Sequence, residues 1–252
     1  MKKKTLEYNL GEKVRAFTTT HEVNARRTHP EPLVDLSGIP IERIVIPHQV
    51  HDTHCLLIDD TFLQLPTEER AACLEGIDAV ITALPHTLLC ISTADCIPVI
   101  IYDTAHHAAA NIHAGWKGTV QRIVEKTFVQ MQHTFGTQAQ DCRAIIGPGI
   151  SLPSFEVGDE VYERFHSNGF DMSSIARRYP DTKNPDKEKW HINLPLCNRQ
   201  QLIHVGLSDE NIYTAPICTF QDTHYFSARR EGTETGRNMT CIQFNSIVNR
   251  KL

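Results

Sequence analysis

The sequence predicts a single mixed α/β domain whose strands and helices are layered against one another. The chain has 252 residues, of which 40% are hydrophobic and 22% charged, as is ordinary for a globular protein. Short apolar segments typical of strands are interspersed with segments of helical period. The two types do not alternate regularly as β–α–β units, which favours a layered α/β or α+β arrangement. We therefore expect one domain over residues 1–252.

The first part of the chain is predicted to form strands at 13–20, 43–50, 54–59, 76–82, 87–93, 98–103 and 108–114. Pro47 has no N–H to donate, so 43–50 is expected at a sheet edge or bulge. From Val120 to Phe135 the apolar residues recur at intervals of three, four and seven, which predicts one face of an amphipathic helix.

The remaining elements follow from the same patterns. Further helices are predicted at 156–166 and at 193–206, the latter with Asn193 as its N-cap and Gly206 as its stop. Strands are predicted at 143–149, 211–219 and 239–244, and a polar surface loop at 170–190.

Charge and cysteine content exclude several classes of protein. The net charge of −5 argues against a nucleic-acid partner, because phosphate binding requires a basic face. No stretch approaches the ~20 apolar residues of a membrane helix, and residues 1–14 lack the apolar core of a signal peptide. We expect a cytoplasmic protein without a membrane partner. Its eight scattered cysteines, with no Cys-x-x-Cys, are expected to be mostly reduced core residues.

A thiol and an imidazole stand beside two adjacent predicted strands. Asp95 and Cys96 precede 98–103, and His113 lies near the end of 108–114. A small-residue turn then leads into a helix, whose free N–H groups could bind an anion beside Lys117. A glycine in such a turn can equally serve geometry alone, and a lone cysteine beside apolar strands is usually a core residue.

Three histidines at a spacing of three, His48, His51 and His54, offer a third group. On a strand His51 would face away from the other two, so the three should not act as a unit. One of them together with Cys96 and His113 would give three ligands and an open position, the pattern of a catalytic zinc. The same thiol and imidazole could instead act as nucleophile and base. Asp95 could handle a proton or orient a histidine.

Arginines near the C-terminus are candidates for anion binding. The segment YFSARREGTETGRN (225–238) carries Arg229, Arg230 and Arg237 among glycines and hydroxyls. Arginine pairs bidentately with phosphate or carboxylate. A solvated turn is the other interpretation.

The motifs together resemble a known family. They are QVHD (49–52), TADCIPV (93–99), HAGWKGT (113–119), IGPGI (146–150), FEVGDEV (155–161), CNRQQL (197–202), ICT (217–219) and YFSARREGTETGR (225–237). In this order, over roughly 44–245, they resemble the laccase-domain (YfiH-like) family of bacterial proteins. The resemblance implies a layered α/β sandwich related to cysteine-hydrolase-like domains. It also implies a zinc ion bound by His51, Cys96 and His113.

The same resemblance implies a purine nucleoside phosphorylase that cleaves adenosine, inosine and methylthioadenosine with inorganic phosphate as co-substrate, and that deaminates adenosine. For that activity Lys117, Arg229 and Arg230 are the candidates to hold phosphate, with Cys96, His113 and Asp95 at the reacting centre. Three further functions stay open: a cysteine hydrolase or amidase with Cys96 as nucleophile and His113 as base, a copper-dependent polyphenol oxidase, and a non-catalytic zinc-stabilised binding module. A blue-copper site would also want a weak axial ligand, and the chain has no His-x-His pair.

The chain departs from the family pattern near its N-terminus. The family's FTTR is FTTT here, ending at Thr20, and the segment 21–38 is short and different. Arg26 or Arg27 could replace the missing arginine. The family's HAGWRG is HAGWKG, and its Cys-Cys-Tyr before EVG is Pro153-Ser154-Phe155. These departures leave the metal ligands intact and are expected to alter the substrate pocket.

Overall fold

A computed structural model describes residues 3–181, 184 and 186–244. The strands are β1 (Thr5–Tyr8), β2 (Val14–Thr19), β3 (Ile44–Val45), β4 (Cys55–Leu57), β5 (Ala79–Thr82), β6 (Leu88–Thr93), β7 (Ile97–Asp103), β8 (Ala108–Ala114), β9 (Cys142–Ile146), β10 (Glu156–Val157), β11 (Ala176–Pro180), β12 (Glu188–Ile192), β13 (Ile212–Thr214) and β14 (Asn238–Phe244). The helices are α1 (Glu31–Ser37), α2 (Asp60–Gln64), α3 (Thr67–Cys73), α4 (Trp116–Val120), α5 (Ile123–Phe135), α6 (Asp159–Ser167), α7 (Met172–Ile175), α8 (Leu194–His204) and α9 (Ala228–Glu231).

The strands pair into three sheets. Five strands follow the order β1-β2-β14-β6-β3, six follow β13-β9-β7-β8-β5-β4, and three follow β10-β12-β11. The predicted mixed α/β layered class is confirmed. None of the helices in the described part of the chain combines the length and the apolarity needed to cross a membrane.

The two larger sheets pack face to face over an apolar layer. Val14 and Ile242 of the five-stranded sheet belong to the same buried cluster as Ile100 and Ile145 of the six-stranded sheet. On the far side of the six-stranded sheet, Phe128 and its neighbours on α5 bury the remaining face together with α8. Strands β7 and β8 are therefore buried on both faces, which explains their mostly apolar sequences.

Most predicted elements are confirmed. The strands at 13–20, 87–93, 98–103, 108–114 and 239–244 appear as β2, β6, β7, β8 and β14. The helix predicted at 193–206 appears as α8, and the one at 156–166 appears as α6, although Glu156–Val157 form strand β10. The Asn193 side chain caps α8 as predicted, accepting a hydrogen bond from the N–H of Leu196 (3.1 Å).

Two strand predictions are too long, and one strand was not predicted. Segment 43–50 pairs only over Ile44–Val45, because Pro47 has no N–H and the chain then turns into a loop. Segment 211–219 is a strand only over Ile212–Thr214. The polar edge strand β1, which pairs antiparallel with β2, was not predicted from its sequence.

The loop predicted at 170–190 is wrong. Its described residues contain α7, β11 and the start of β12, and the last two pair antiparallel. Trp190 shields this small sheet: its ring stacks on Tyr162 at 4.1 Å between centroids, and the Arg178 guanidinium lies 4.8 Å above it. A few large amphipathic side chains thus stabilise a hairpin whose composition is that of a loop.

The amphipathic pattern from Val120 corresponds to two helices, α4 and α5. The chain breaks at Arg122, whose φ is 66°. The buried Gln201 of α8 fills this break: it accepts from the N–H of Val124 (3.2 Å) and donates to the carbonyl of Thr119 (3.0 Å). These bonds replace those that a continuous helix would make, and they fix α4 directly after His113.

Candidate metal centre

A β-hairpin brings Cys96 and His113 together although seventeen residues separate them in the chain. Strands β7 and β8 are antiparallel, with Ile97 opposite Ala114 and Pro98 opposite His113. Cys96 therefore enters the hairpin beside the point where His113 and Gly115 leave it. The thiol is half-buried, and the His113 side chain is almost completely buried, with 3% of the residue exposed.

His51 reaches the pair from a loop and not from a strand as predicted. Its own φ is 66°, a left-handed conformation, and its ring meets that of His113 edge to face, with the two ring centroids 4.7 Å apart. His48 and His54 lie apart from it: His48 pairs with Glu75, and the Nδ1 of His54 bonds the carbonyl of Gly76. The three histidines do not form a unit, as expected, but a loop and not a strand separates them.

The ligand atoms of His51, Cys96 and His113 all lie within 4.8 Å of one another. His113 is at the floor of this cluster and His51 is exposed at its mouth. Within the described residues, the group contains three potential ligands, so a tetrahedral metal held by them would keep one position for water or substrate.

Gly115 provides the space beside these three side chains. A Cβ at this position would lie 2.8 Å from Cδ2 of His51 and 3.2 Å from Sγ of Cys96. The backbone φ of Gly115 is −67°, so glycine is required here for space and not for conformation. A thiolate and two imidazoles around such a cradle are ligands that zinc accepts.

Asp78 organises the cluster, although it was not among the predicted site residues. Its buried carboxylate accepts from Nδ1 of His113 at 2.7 Å. The same carboxylate accepts the backbone N–H groups of Val50 (3.1 Å), His51 (2.9 Å) and Asp52 (2.9 Å). One side chain thus orients one ligand and builds the loop that carries another. Its only sequence signal is an acidic residue directly before the apolar strand β5.

Gln49 attaches the other end of this loop to the five-stranded sheet. Its side chain donates to the carbonyl of Ser92 (2.8 Å) and accepts from the N–H of Ser92 (2.9 Å). Beyond the end of the short strand β3, the side-chain amide of Gln49 thus continues the hydrogen bonds that β3 makes with the backbone of β6. His51 is therefore held between the two sheets by Gln49 and Asp78.

The electrostatics of the cluster favour a thiolate. Burial raises the pKa of Cys96, but the charges and hydrogen bonds of His113 and His51 outweigh it and lower the pKa to about 6. Burial lowers the pKa of His113, but Cys96 and Asp78 raise it to about 9. Both shifts favour a thiolate beside an imidazolium, and a bound cation would take the place of the proton.

Asp95 joins three segments behind Cys96. Its carboxylate accepts from Oγ1 of Thr219 (2.7 Å) and from the N–H of Arg229 (2.7 Å), and its carbonyl accepts from the N–H of Ile150 (2.8 Å). Its φ is 87°, so the residue before the thiol is held in a strained conformation. The role of orienting a histidine belongs to Asp78, and these contacts make Asp95 a positioning residue.

The predicted cations differ in their freedom to bind an anion. Lys117 is exposed on α4, with its Nζ 5.9 Å from the ring of Trp116. Arg229 is also exposed, and its guanidinium bonds the carbonyl of Glu156 while facing the ring of Phe155. Arg230 uses its N–H groups on Glu231 and on three backbone carbonyls. The structure therefore does not support Arg230 as a phosphate ligand, since its donors are already engaged.

The other three arginines named as candidates lie outside the metal cluster. Arg237 donates to the carbonyls of Thr233, Thr235 and Gly236 and closes its own turn. Arg27 pairs with Glu75, and Arg26 is exposed. None of the three contacts the side chains of the metal cluster.

Comparisons with known proteins place the chain in a family. Residues 3–245 match the family model described as multi-copper polyphenol oxidoreductase laccase. A purine nucleoside phosphorylase of Bacteroides thetaiotaomicron is 46% identical over 221 residues, covering 87% of this chain and 80% of that protein. Adenosine deaminase RL5, from an unknown prokaryotic organism, is 37% identical over 206 residues, covering 81% of this chain and 76% of that protein.

Solved structures share the same architecture. YfiH of Bacillus licheniformis superposes with a TM-score of 0.76 at 25% identity, covering 92% of this chain and 93% of that one. YlmD of Geobacillus stearothermophilus superposes with a TM-score of 0.79 at 24% identity, covering 92% of each chain. The resemblance read from the motifs is confirmed: the chain belongs to the multi-copper polyphenol oxidoreductase laccase family, with the fold of the YfiH structures.

Proposed function

We propose that this protein is a zinc-dependent purine nucleoside phosphorylase that also deaminates adenosine. The observation that carries the proposal is the cluster of His51, Cys96 and His113, three potential ligands of which His51 is exposed. The relatives named purine nucleoside phosphorylase and adenosine deaminase support the substrate class. A bound zinc would supply a Lewis acid and lower the pKa of water toward ~7.

The protein's own residues prepare this centre. Asp78 holds the proton on Nδ1 of His113, so that the lone pair of Nε2 is directed to the ligand position. The rigid attachment of His51 and Cys96 limits how far the ligands reorganise during turnover. Asp95 sets the backbone of Cys96 and of Arg229 at once.

In phosphorolysis, a phosphate oxygen bonds to the anomeric carbon of the sugar while the bond to the purine nitrogen breaks. The electron pair of that bond leaves with the purine, which takes up a proton. The exposed cations Lys117 and Arg229 are our candidates to hold the phosphate. In deamination, water attacks C6 of adenine and ammonia leaves, so this half-activity needs no phosphate.

A product assay tests both activities. Zinc-loaded protein is incubated with adenosine, with and without phosphate, and the products are separated by chromatography. We expect phosphate-dependent adenine and phosphate-independent inosine. Cys96→Ser should lose zinc and both products, whereas the exposed Cys73→Ser should keep them. Full zinc content and full turnover in Cys96→Ser would overturn the metal assignment.

A cysteine hydrolase is the second candidate, and one observation favours it. Cys96, His113 and Asp78 are arranged as nucleophile, base and orienting carboxylate. This function predicts that zinc inhibits turnover of an amide substrate. The phosphorylase predicts that zinc is required.

A copper oxidase and a non-catalytic binding module would each have a distinct signature. Intense blue absorbance after copper loading would support an oxidase centre. Tight nucleoside binding without any product would support a binding module.

A further inference from the structure

A cavity of about 410 Å³ lies between α3, the segment leading into β3, and Phe62 of α2. No residue of the metal cluster lines it. The walls include Ile44, Ile46 and Leu74, and most of the lining surface is apolar. A volume of this size falls in the range of small-molecule sites.

The guanidinium of Arg70 also lines the cavity and has few hydrogen-bond partners. Arg70 lines it and donates a single hydrogen bond, from Nη1 to the carbonyl of Glu42 (2.8 Å). Its Nε is buried and has no hydrogen-bond partner. Across the described part of the chain, Arg70 makes no ion pair, whereas most buried polar groups in proteins are paired.

The other charged groups around the cavity do not satisfy Arg70. Arg27 lines the same cavity but is paired with Glu75 (2.5 Å). The Glu42 side chain is the only carboxylate among the described lining residues, and Glu42 bonds Arg70 through its backbone carbonyl alone. The lining thus carries two cations and one anion around an apolar interior.

We propose that this cavity is a second ligand site, and that it binds a small carboxylate with an apolar body. The carboxylate would bond the guanidinium of Arg70 through the Nη that makes no hydrogen bond, because the buried Nε lies out of a ligand's reach. The apolar body would cover the surface of Phe62, Ile46 and Leu74. The site is separate from the metal centre, although its wall is joined to it: the carbonyl of Leu74 accepts from the N–H of His48 (2.9 Å), in the loop that carries His51.

The probe that tests the site is 4-phenylbutyrate, titrated into the zinc-loaded full chain by calorimetry. The neutral 4-phenylbutanol has the same apolar body, and acetate has the charge alone. We expect one equivalent of 4-phenylbutyrate to bind, at least about tenfold more tightly than either control compound. Equal binding of the alcohol would overturn the proposal, because the charge would then not be recognised.

Variants locate the binding. Arg70→Gln should weaken 4-phenylbutyrate about tenfold and leave the alcohol unchanged. Ala71→Phe, at an exposed position of α3 that lines the cavity, should block both compounds. Arg164→Gln, an exposed arginine outside the cavity, is the matched control. Unchanged binding of 4-phenylbutyrate in folded Arg70→Gln or Ala71→Phe, or no binding to the wild-type chain, would refute the site.

Discussion

The carboxylate of Asp78 lies 2.7 Å from Nδ1 of His113 and also accepts three consecutive backbone N–H groups from the loop that carries His51. Burial raises the pKa of Asp78, but these hydrogen bonds outweigh burial and keep it lowered. Two of the three potential metal ligands therefore depend on one buried anion. Asp78 therefore fixes the positions of His51 and His113 relative to each other.

Asp78→Asn tests this dependence. The amide is similar in size but removes the charge and offers a donor where the loop needs acceptors. We expect zinc affinity to fall about 10–100-fold, the usual effect of losing a group that orients a metal ligand. Competition with a chromophoric chelator measures it, with the exposed Asp35→Asn as control. Equal zinc affinity in the two variants would show that Asp78 does not position the ligands.

Gly115→Ala should abolish metal binding with little loss of folding stability. The added methyl would meet His51 at 2.8 Å and Cys96 at 3.2 Å, while the φ of −67° suits alanine. The expected result is a protein with an unchanged circular dichroism spectrum and substoichiometric zinc by elemental analysis. Full zinc occupancy would mean that the cradle is wider than the structure shows.

In metal-free protein, the alkylation rate of Cys96 should follow its lowered pKa. Because the thiolate is the reactive form, its rate with iodoacetamide should rise through pH about 6 and then level off. An ordinary cysteine thiol, with a pKa of 9.0, would keep gaining reactivity to higher pH. Peptide mass spectrometry separates Cys96 from the exposed Cys73.

Zinc distinguishes the two candidate functions in the same experiment. A metal-bound thiolate should be protected by stoichiometric zinc, and activity should survive alkylation when zinc is present. Cys55 and Cys142, whose pKa burial raises to about 12, should stay unlabelled in either state. Labelling of Cys96 at an equal rate with and without zinc would argue against a metal centre.

Arg229 and Arg230 are adjacent but should behave differently. Arg229→Gln removes an exposed guanidinium with one carbonyl partner, so we expect a higher KM for phosphate and an unchanged Tm. Arg230→Gln leaves the carbonyls of Thr219, Phe220 and Tyr225 without their donor, so we expect a lower Tm. Thermal unfolding and phosphate titrations of both variants check this. A reversed pattern would mean that Arg230 is the phosphate ligand.

Gln201→Leu should destabilise the junction of α4 and α5. It leaves the buried N–H of Val124 unsatisfied, at about 1–3 kcal/mol, whereas the carbonyl of Thr119 still accepts from the N–H of Arg122 (3.0 Å). Urea unfolding measures the change, with Gln132→Leu on the exposed face of α5 as control. A difference within error between the two variants would show that water replaces Gln201 in the break.

Some elements were predictable because local sequence decides them. β7 and β8 are mostly apolar because both of their faces are buried, and α8 begins at an asparagine that caps it. The hairpin β11–β12 was not predictable, because Trp190 gains its cover from Tyr162 on another element. The break at Arg122 was missed for the same reason: Gln201, far along the chain, satisfies the groups that it frees.

By itself, the sequence determined which residue types carry chemistry: a thiol and histidines, in motifs distinctive enough to identify the family. Only the tertiary structure decided which groups meet. The pairing of β7 with β8 places Cys96 beside His113. The buried carboxylate of Asp78 holds His51 next to them by accepting hydrogen bonds from backbone N–H groups of its loop. Backbone donors have no signature in a sequence, so a carboxylate that acts through them is recognisable only when the chain is folded.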